Sequence, residues 1–174
     1  MLLHVCCGPC ASYVLEHLTP VYDISILFYN PNAEPQEEYE RRKSNLVKLL
    51  NEAPFAAGIE LLDCDYDNRA FVDAVSSLRN QPEGGARCRI CFDLRLRKTV
   101  ERAKEGGYDV FATTMTVSPQ KSAKTLNDVG SELSDEYSIP YLVSDFKKQN
   151  GYIRSVELSN QYGLYRQDYC GCEE

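Results

Sequence analysis

Seven of the eight cysteines in this 174-residue chain fall into three tight groups. Cys6, Cys7 and Cys10 lie in LLHVCCGPCAS, Cys88 and Cys91 form a CxxC in GGARCRICFDLRL, and Cys170 and Cys172 form a CxC in QDYCGC. Thiols grouped in this way can ligate zinc, hold an iron–sulfur cluster or work as a redox pair. Seven exceed the four of a structural zinc site, although two zinc ions could be accommodated. CCxxC and CxC fit a paired-knuckle pattern poorly, an iron–sulfur cluster takes cysteine thiolates almost exclusively, and a redox CxxC needs only two. The spacing alone leaves all three chemistries open. Cys64, alone in LLDCDYD, reads as a small buried hydrophobe and is set outside the site.

The elements that must position these thiols follow from the apolar pattern. Leu2, Leu3 and Val5 read as a short buried strand, Gly8 and Pro9 turn the chain, and residues 11–18 read as a helix ended by Pro20. The first thiols therefore sit on a strand-to-helix turn, where ligands of an open α/β sheet bind and where helix amides favour anions, thiolates included. DISILFYN, 23–30, is a second strand, 31–35 a loop, 36–51 a surface helix and 59–64 a third strand. Asp67 or Asn68 can cap a short helix carrying Phe71, Val72 and Val75. After the loop 80–87 comes a helix with Cys88 and Cys91 in its first turn, three residues apart and so on one face, closed by Gly106 and Gly107. Strand four is 109–115. Ser118 and Pro119 are the expected cap of the next helix, which runs to about Tyr137, and 141–146 is strand five. The segment 154–174 reads as a helix and an extended end whose order is expected to come from ligand bonds by Cys170 and Cys172.

Alternating strands and helices predict a single α/β domain over 1–174, with a five-stranded parallel sheet covered on both faces and a C-terminal metal-binding tail. With 43% hydrophobic and 26% charged residues, the composition is that of a soluble globular protein whose core needs no disulfides. No run is apolar for long enough to cross a bilayer, so the expected address is the cytoplasm, where thiols stay reduced. The net charge of −7 argues against general nucleic-acid binding, and any RNA must meet a local basic face. No GxGxxG turn, phosphate-binding GxxxxGK[ST] loop or ferredoxin-type cysteine run occurs.

LLHVCCGPC, FYNPN, EGGARCRICFDLRL, TTMTVSPQKS, SDFKK and ELSNQYGLYRQDYCGC together resemble the epoxyqueuosine reductase family of the QueH type, over essentially the whole chain. The resemblance implies a Rossmann-like fold of the adenine-nucleotide hydrolase type, with the cysteine turn standing where relatives have a phosphate loop. It implies cobalamin-independent reduction of the epoxide of epoxyqueuosine in tRNA, with a 4Fe-4S cluster and an adjacent mononuclear iron held by the seven grouped cysteines and an aspartate. The implied partners are tRNA carrying epoxyqueuosine and an external electron donor. Asp67 and Asp145, both at the expected mouth, are the carboxylates expected at iron. Asp168 ranks behind them, because a carboxylate near a tail is commonly solvated. Arg89, Lys147 and Lys148 are the expected phosphate contacts, and Tyr29, Tyr165, Tyr169 and Lys121 the possible proton donors. Two readings compete with this one: a zinc-stabilised RNA-binding module, and an iron–sulfur tRNA sulfur-transferring enzyme, against which the missing phosphate loop argues.

Overall fold

The computed structural model describes residues 1–172 of the chain, so the last two residues of the expected tail lie outside the described residues. Four short strands, β1 (Leu2–His4), β2 (Ser25–Phe28), β3 (Glu60–Asp63) and β4 (Phe111–Thr113), form one parallel sheet in the order β3-β2-β1-β4. Parallel neighbours require long crossovers. Helix α1 (Gly8–Leu18) links β1 to β2, α2 (Gln36–Glu52) links β2 to β3, and α3 (Asn68–Val75) with α4 (Ala86–Glu105) links β3 to β4. Helices α5 (Ala123–Tyr137) and α6 (Gly151–Gln161) follow.

Successive strand residues point to opposite faces of a sheet, and this alternation divides the core in two. Leu3, Ile26 and Ala112 face α1 and α2, packing with Val14, Leu15, Leu46 and Leu49. Leu2, Leu27 and Phe111 face the other side, against Leu96 and Val100 of α4 and Leu126 and Val129 of α5. Burial on both faces explains why consecutive apolar residues, Leu2 with Leu3 and Ile26 to Phe28, are tolerated in the central strands.

The sheet has four strands, not the expected five. At 141–146 only a bridge between Tyr141 and Phe111 forms, with Leu142 N–H donating to the Phe111 carbonyl at 3.0 Å. Beyond it the backbone turns to side chains instead of a ladder: Ser144 N–H donates to Asn127 Oδ1 at 3.2 Å, and Phe146 N–H to Thr116 Oγ1 at 3.3 Å. Strand β4 is shortened for a related reason, because Thr113 Oγ1 accepts from Met115 N–H at 3.2 Å and turns 114–117 into a 3₁₀ turn. The cap of α5 is Ser122, whose Oγ accepts from Thr125 N–H at 3.2 Å, rather than Ser118.

The expected C-terminal metal-binding tail is corrected as well, because among the described residues its two thiols do not form a cluster by themselves. The thiols close enough to share an ion are those of the N-terminal turn, Cys6, Cys7 and Cys10. The tail is held by protein hydrogen bonds: Arg42 Nη1 donates to the Cys170 carbonyl at 2.8 Å, Glu34 N–H to the Gly171 carbonyl at 2.7 Å, and Tyr165 N–H to Asn45 Oδ1 at 2.8 Å. Among the described residues, no helix is long and apolar enough to cross a membrane.

Candidate metal centre

The first thiol group is built by the turn from β1 into α1. Val5 N–H still pairs with the Leu27 carbonyl at 3.0 Å, so the chain leaves the sheet only at Cys6. Cys7 is the N-cap residue, in extended conformation, and its carbonyl accepts from Ala11 N–H at 3.1 Å. Gly8 is required because α2 passes close by: a Cβ there would stand 2.9 Å from the Asn45 carbonyl oxygen. Cys10 then falls one turn into the helix, and the three sulfurs lie within 4.8 Å of one another. Cys6 and Cys7 Sγ are 3.7 Å apart.

This turn favours a thiolate. Hydrogen bonds from Cys10 and Cys7 hold the Cys6 thiol well below its ordinary range, helped by the charge of Arg95 and opposed by burial. Cys10 is pushed up in return, chiefly by its bond to Cys6. His4, at the end of β1, is not a ligand: Nε2–H donates to the Tyr29 carbonyl at 3.1 Å, so Nδ1 accepts from Thr113 Oγ1 at 3.0 Å, and both nitrogens are used.

Cys88 closes the first turn of α4 and Cys91 stands one residue triplet on, so both face the same way. Cys88 Sγ accepts from Gly84 N–H at 3.2 Å, and burial pushes the Cys91 thiol up. The tail brings Cys170 and Cys172 to this face. The four thiols line one small cavity of about 20 Å³. Cys170 and Lys121 also line a larger cavity of about 290 Å³, whose wall carries Cys6, Cys7 and Cys10. All seven grouped cysteines thus surround two adjoining cavities that share a wall. Lys121 Nζ donates to Cys170 Sγ at 3.4 Å, and that thiol is held down at about 4 by its bond from Cys172, then by Lys121 and Arg95.

The sequence matches known proteins along nearly its whole length. A family model described as epoxyqueuosine reductase QueH matches residues 1–173. A protein of Streptococcus pyogenes serotype M1 named epoxyqueuosine reductase QueH is 47% identical over 99% of this chain and 68% of its own length. Proteins of the same name from Staphylococcus epidermidis and Thermotoga maritima are 42% and 32% identical, over 99% of this chain and over 74% and 88% of their own lengths. The chain belongs to the epoxyqueuosine reductase QueH family.

For a QueH family member the placement of the remaining candidates is informative. Neither Asp67 nor Asp145 lines the cysteine cavities. Asp67 is exposed and caps α3, accepting from Ala70 N–H at 3.2 Å, in a separate cavity with Cys64 and Tyr29. Asp145 is bound by Lys147 at 2.9 Å and Lys148 at 3.5 Å, which hold its carboxyl below the ordinary range against partial burial. Asp168, ranked last from the sequence, does line the larger cavity. Arg89 is paired with Glu132 at 2.7 Å, and none of Arg89, Lys147 and Lys148 lines that cavity. Tyr169 and Lys121 line it, whereas Tyr165 donates to Glu38 at 3.2 Å.

Asn32, Arg42, Arg95 and Gln167 also line the larger cavity, although none of them is among the residues expected there from the sequence. Arg42 is 4% exposed and binds Glu38 at 2.7 Å; the Glu38–Arg42 spacing of four is the signal that could have paired them, though not buried them. The donor set fits an iron–sulfur group: grouped sulfurs, with Arg95 and Lys121 close by to balance thiolate charge.

Proposed function

We propose that this chain is an epoxyqueuosine reductase acting on tRNA, with residues 1–174 working as one metalloenzyme domain. The observation that carries the proposal is the meeting of seven thiols from three distant stretches around two adjoining cavities, one of them large enough for a nucleoside-sized group. The reaction breaks both C–O bonds of the epoxide, forms a carbon–carbon double bond, consumes two electrons and two protons, and releases the oxygen as water. An external donor supplies the electrons.

Cys6, Cys7, Cys10, Cys88, Cys91, Cys170 and Cys172 are the proposed ligands of a 4Fe-4S cluster and an adjacent iron, and Asp168 is the carboxylate best placed to join them. When bound, such a centre supplies single electrons and a Lewis-acidic position for oxygen. The chain's own residues do the rest. Arg95 and Lys121 offset the thiolate charge, Lys121 holds a proton at Nζ beside the cavity, and the walls shield the reacting ring from water. Phosphate contacts fall to Arg89, Lys147 and Lys148; their ion pairs with carboxylates, of a kind worth about 0–1 kcal/mol at a surface, can give way to phosphate.

The test is anaerobic purification followed by iron and acid-labile sulfide analysis and an assay on epoxyqueuosine-containing tRNA. The expected result is a brown protein with iron in excess of sulfide that converts the tRNA when given a reductant. A colourless protein holding zinc and leaving the tRNA unchanged would favour the RNA-binding module.

A further inference from the structure

The larger cavity holds polar atoms that the thiol chemistry does not use. Asn32 is 2% exposed and its Oδ1 has no protein hydrogen-bond partner; the Oε1 of Gln167 is buried and equally unpaired. On the same wall the Nη2 of Arg42 is buried without a partner, although its Nε and Nη1 are both engaged. Leaving such groups unpaired in the interior is costly, so native proteins do so rarely, and a cluster of them on one cavity wall marks a place where a polar molecule binds.

The donor and acceptor types identify what the ligand must carry. An amide oxygen can only accept, and thiolates and inorganic sulfides also only accept, so a sulfur-rich metal group cannot satisfy Asn32 Oδ1 or Gln167 Oε1 by hydrogen bonding. They need N–H or O–H donors, and Arg42 Nη2 needs an oxygen or nitrogen acceptor. A cavity of about 290 Å³ has room for one nucleoside-sized group, not for a folded RNA element. Enzymes that act on a base within a folded nucleic acid draw that nucleotide out into such a pocket. Two tyrosines at this cavity stand ready for the stacking that holds an extruded base: Tyr152 and Tyr169 are 37% and 40% exposed, each with a guanidinium over its ring at 5.6 Å, from Arg166 and Arg42.

We propose that Asn32, Gln167 and Arg42 are the specificity-determining residues that read the extruded nucleoside, the two amide oxygens accepting from its N–H or O–H groups while Arg42 donates to one of its oxygens. This rests on the function proposed above. A guanine-type edge and a hydroxylated ring both present donors beside an oxygen, and the test separates them.

Asn32→Leu and Gln167→Met keep volume and remove the acceptor. Equilibrium binding of an anticodon stem-loop oligonucleotide is measured for each loaded protein, once with epoxyqueuosine and once with guanosine at the wobble position, together with KM and kcat on the modified form. The expected result is at least a tenfold loss of affinity for the epoxyqueuosine stem-loop in each variant, with KM raised, kcat at saturation retained and iron content unchanged. Loss on both oligonucleotides assigns the contacts to the base edge; loss on the modified one alone assigns them to the hydroxylated ring. Unchanged affinity in Gln167→Met, which alters only the tail and leaves the sheet untouched, overturns the proposal, whatever Asn32→Leu does to folding. Failure of the wild-type protein to reduce epoxyqueuosine would instead count against the function itself.

Discussion

Arg42 joins the tail to the body of the molecule. Its guanidinium binds Glu38, donates to the Cys170 carbonyl, and lies so close to Gly171 that a Cβ there would stand 2.6 Å from Nη2; Gly171 has φ +90°, which glycine alone adopts without strain. Arg42→Met should cost about 3 kcal/mol, the lower end for breaking a buried ion pair, because Tyr165 still donates to Glu38. Urea denaturation reads this, and limited proteolysis should show faster cleavage after Arg166. An unchanged midpoint and cleavage rate would show that the tail is held otherwise. At the same scale, each of the seven grouped cysteines replaced by serine should lose iron and turnover, whereas Cys64→Ser, in its separate cavity with Asp67, should keep both. Metal analysis of the eight variants decides. The thiols were legible in the sequence because grouping is itself a pattern. Asn32, Arg42 and Gln167 were not: a polar residue in a loop, a charged helix or a tail looks solvated until tertiary packing buries it.

Among the elements, α1 is the one the site depends on, since it carries Cys10, is capped by Cys7 and packs on both α2 and α6. Gly8→Ala places a methyl 2.9 Å from the Asn45 carbonyl and should destabilise the fold by roughly 1–3 kcal/mol, the usual cost of overpacking. Gly151→Ala should be worse, because its Cβ would collide with the Phe146 carbonyl and the Tyr13 ring. Thermal unfolding checks the order of the two. Arg154 clamps α6 to α1 through Glu16 at 2.7 Å, and its hydrogen bond holds the Glu16 carboxyl below its ordinary 4.5. A depressed carboxylate adds stability above its unfolded value and loses it as pH falls through the folded one. Stability should therefore drop on acidification below about 4.5, and Glu16→Gln should flatten that part of the curve, as denaturant midpoints against pH would show. The strands and crossover helices were readable from apolar runs and periodicity. The missing fifth strand was not, because its segment has a strand's composition and is diverted by Asn127 and Thr116, two side chains distant in sequence.

For the whole molecule, the net charge of −7 sets a long-range repulsion against tRNA that local cations must overcome. Reversing the charge of Arg89, Lys147 and Lys148 together should weaken tRNA binding at low salt and reduce its salt dependence, while leaving iron content alone, since none of the three lines the cysteine cavity. Unchanged affinity in a filter-binding or fluorescence titration would place the phosphate track elsewhere. If the converging thiols hold the group that epoxide reduction needs, the oxygen should leave the substrate only when that group is bound. A single-turnover reaction decides this: iron-loaded protein in excess is mixed anaerobically with tRNA bearing epoxyqueuosine and a chemical reductant that supplies both electrons, and the wobble nucleoside is released and weighed by mass spectrometry. Wild-type protein should yield a nucleoside lighter by the mass of one oxygen atom, and Cys6→Ser should not. A nucleoside of unchanged mass from fully loaded, reduced wild-type protein would contradict it.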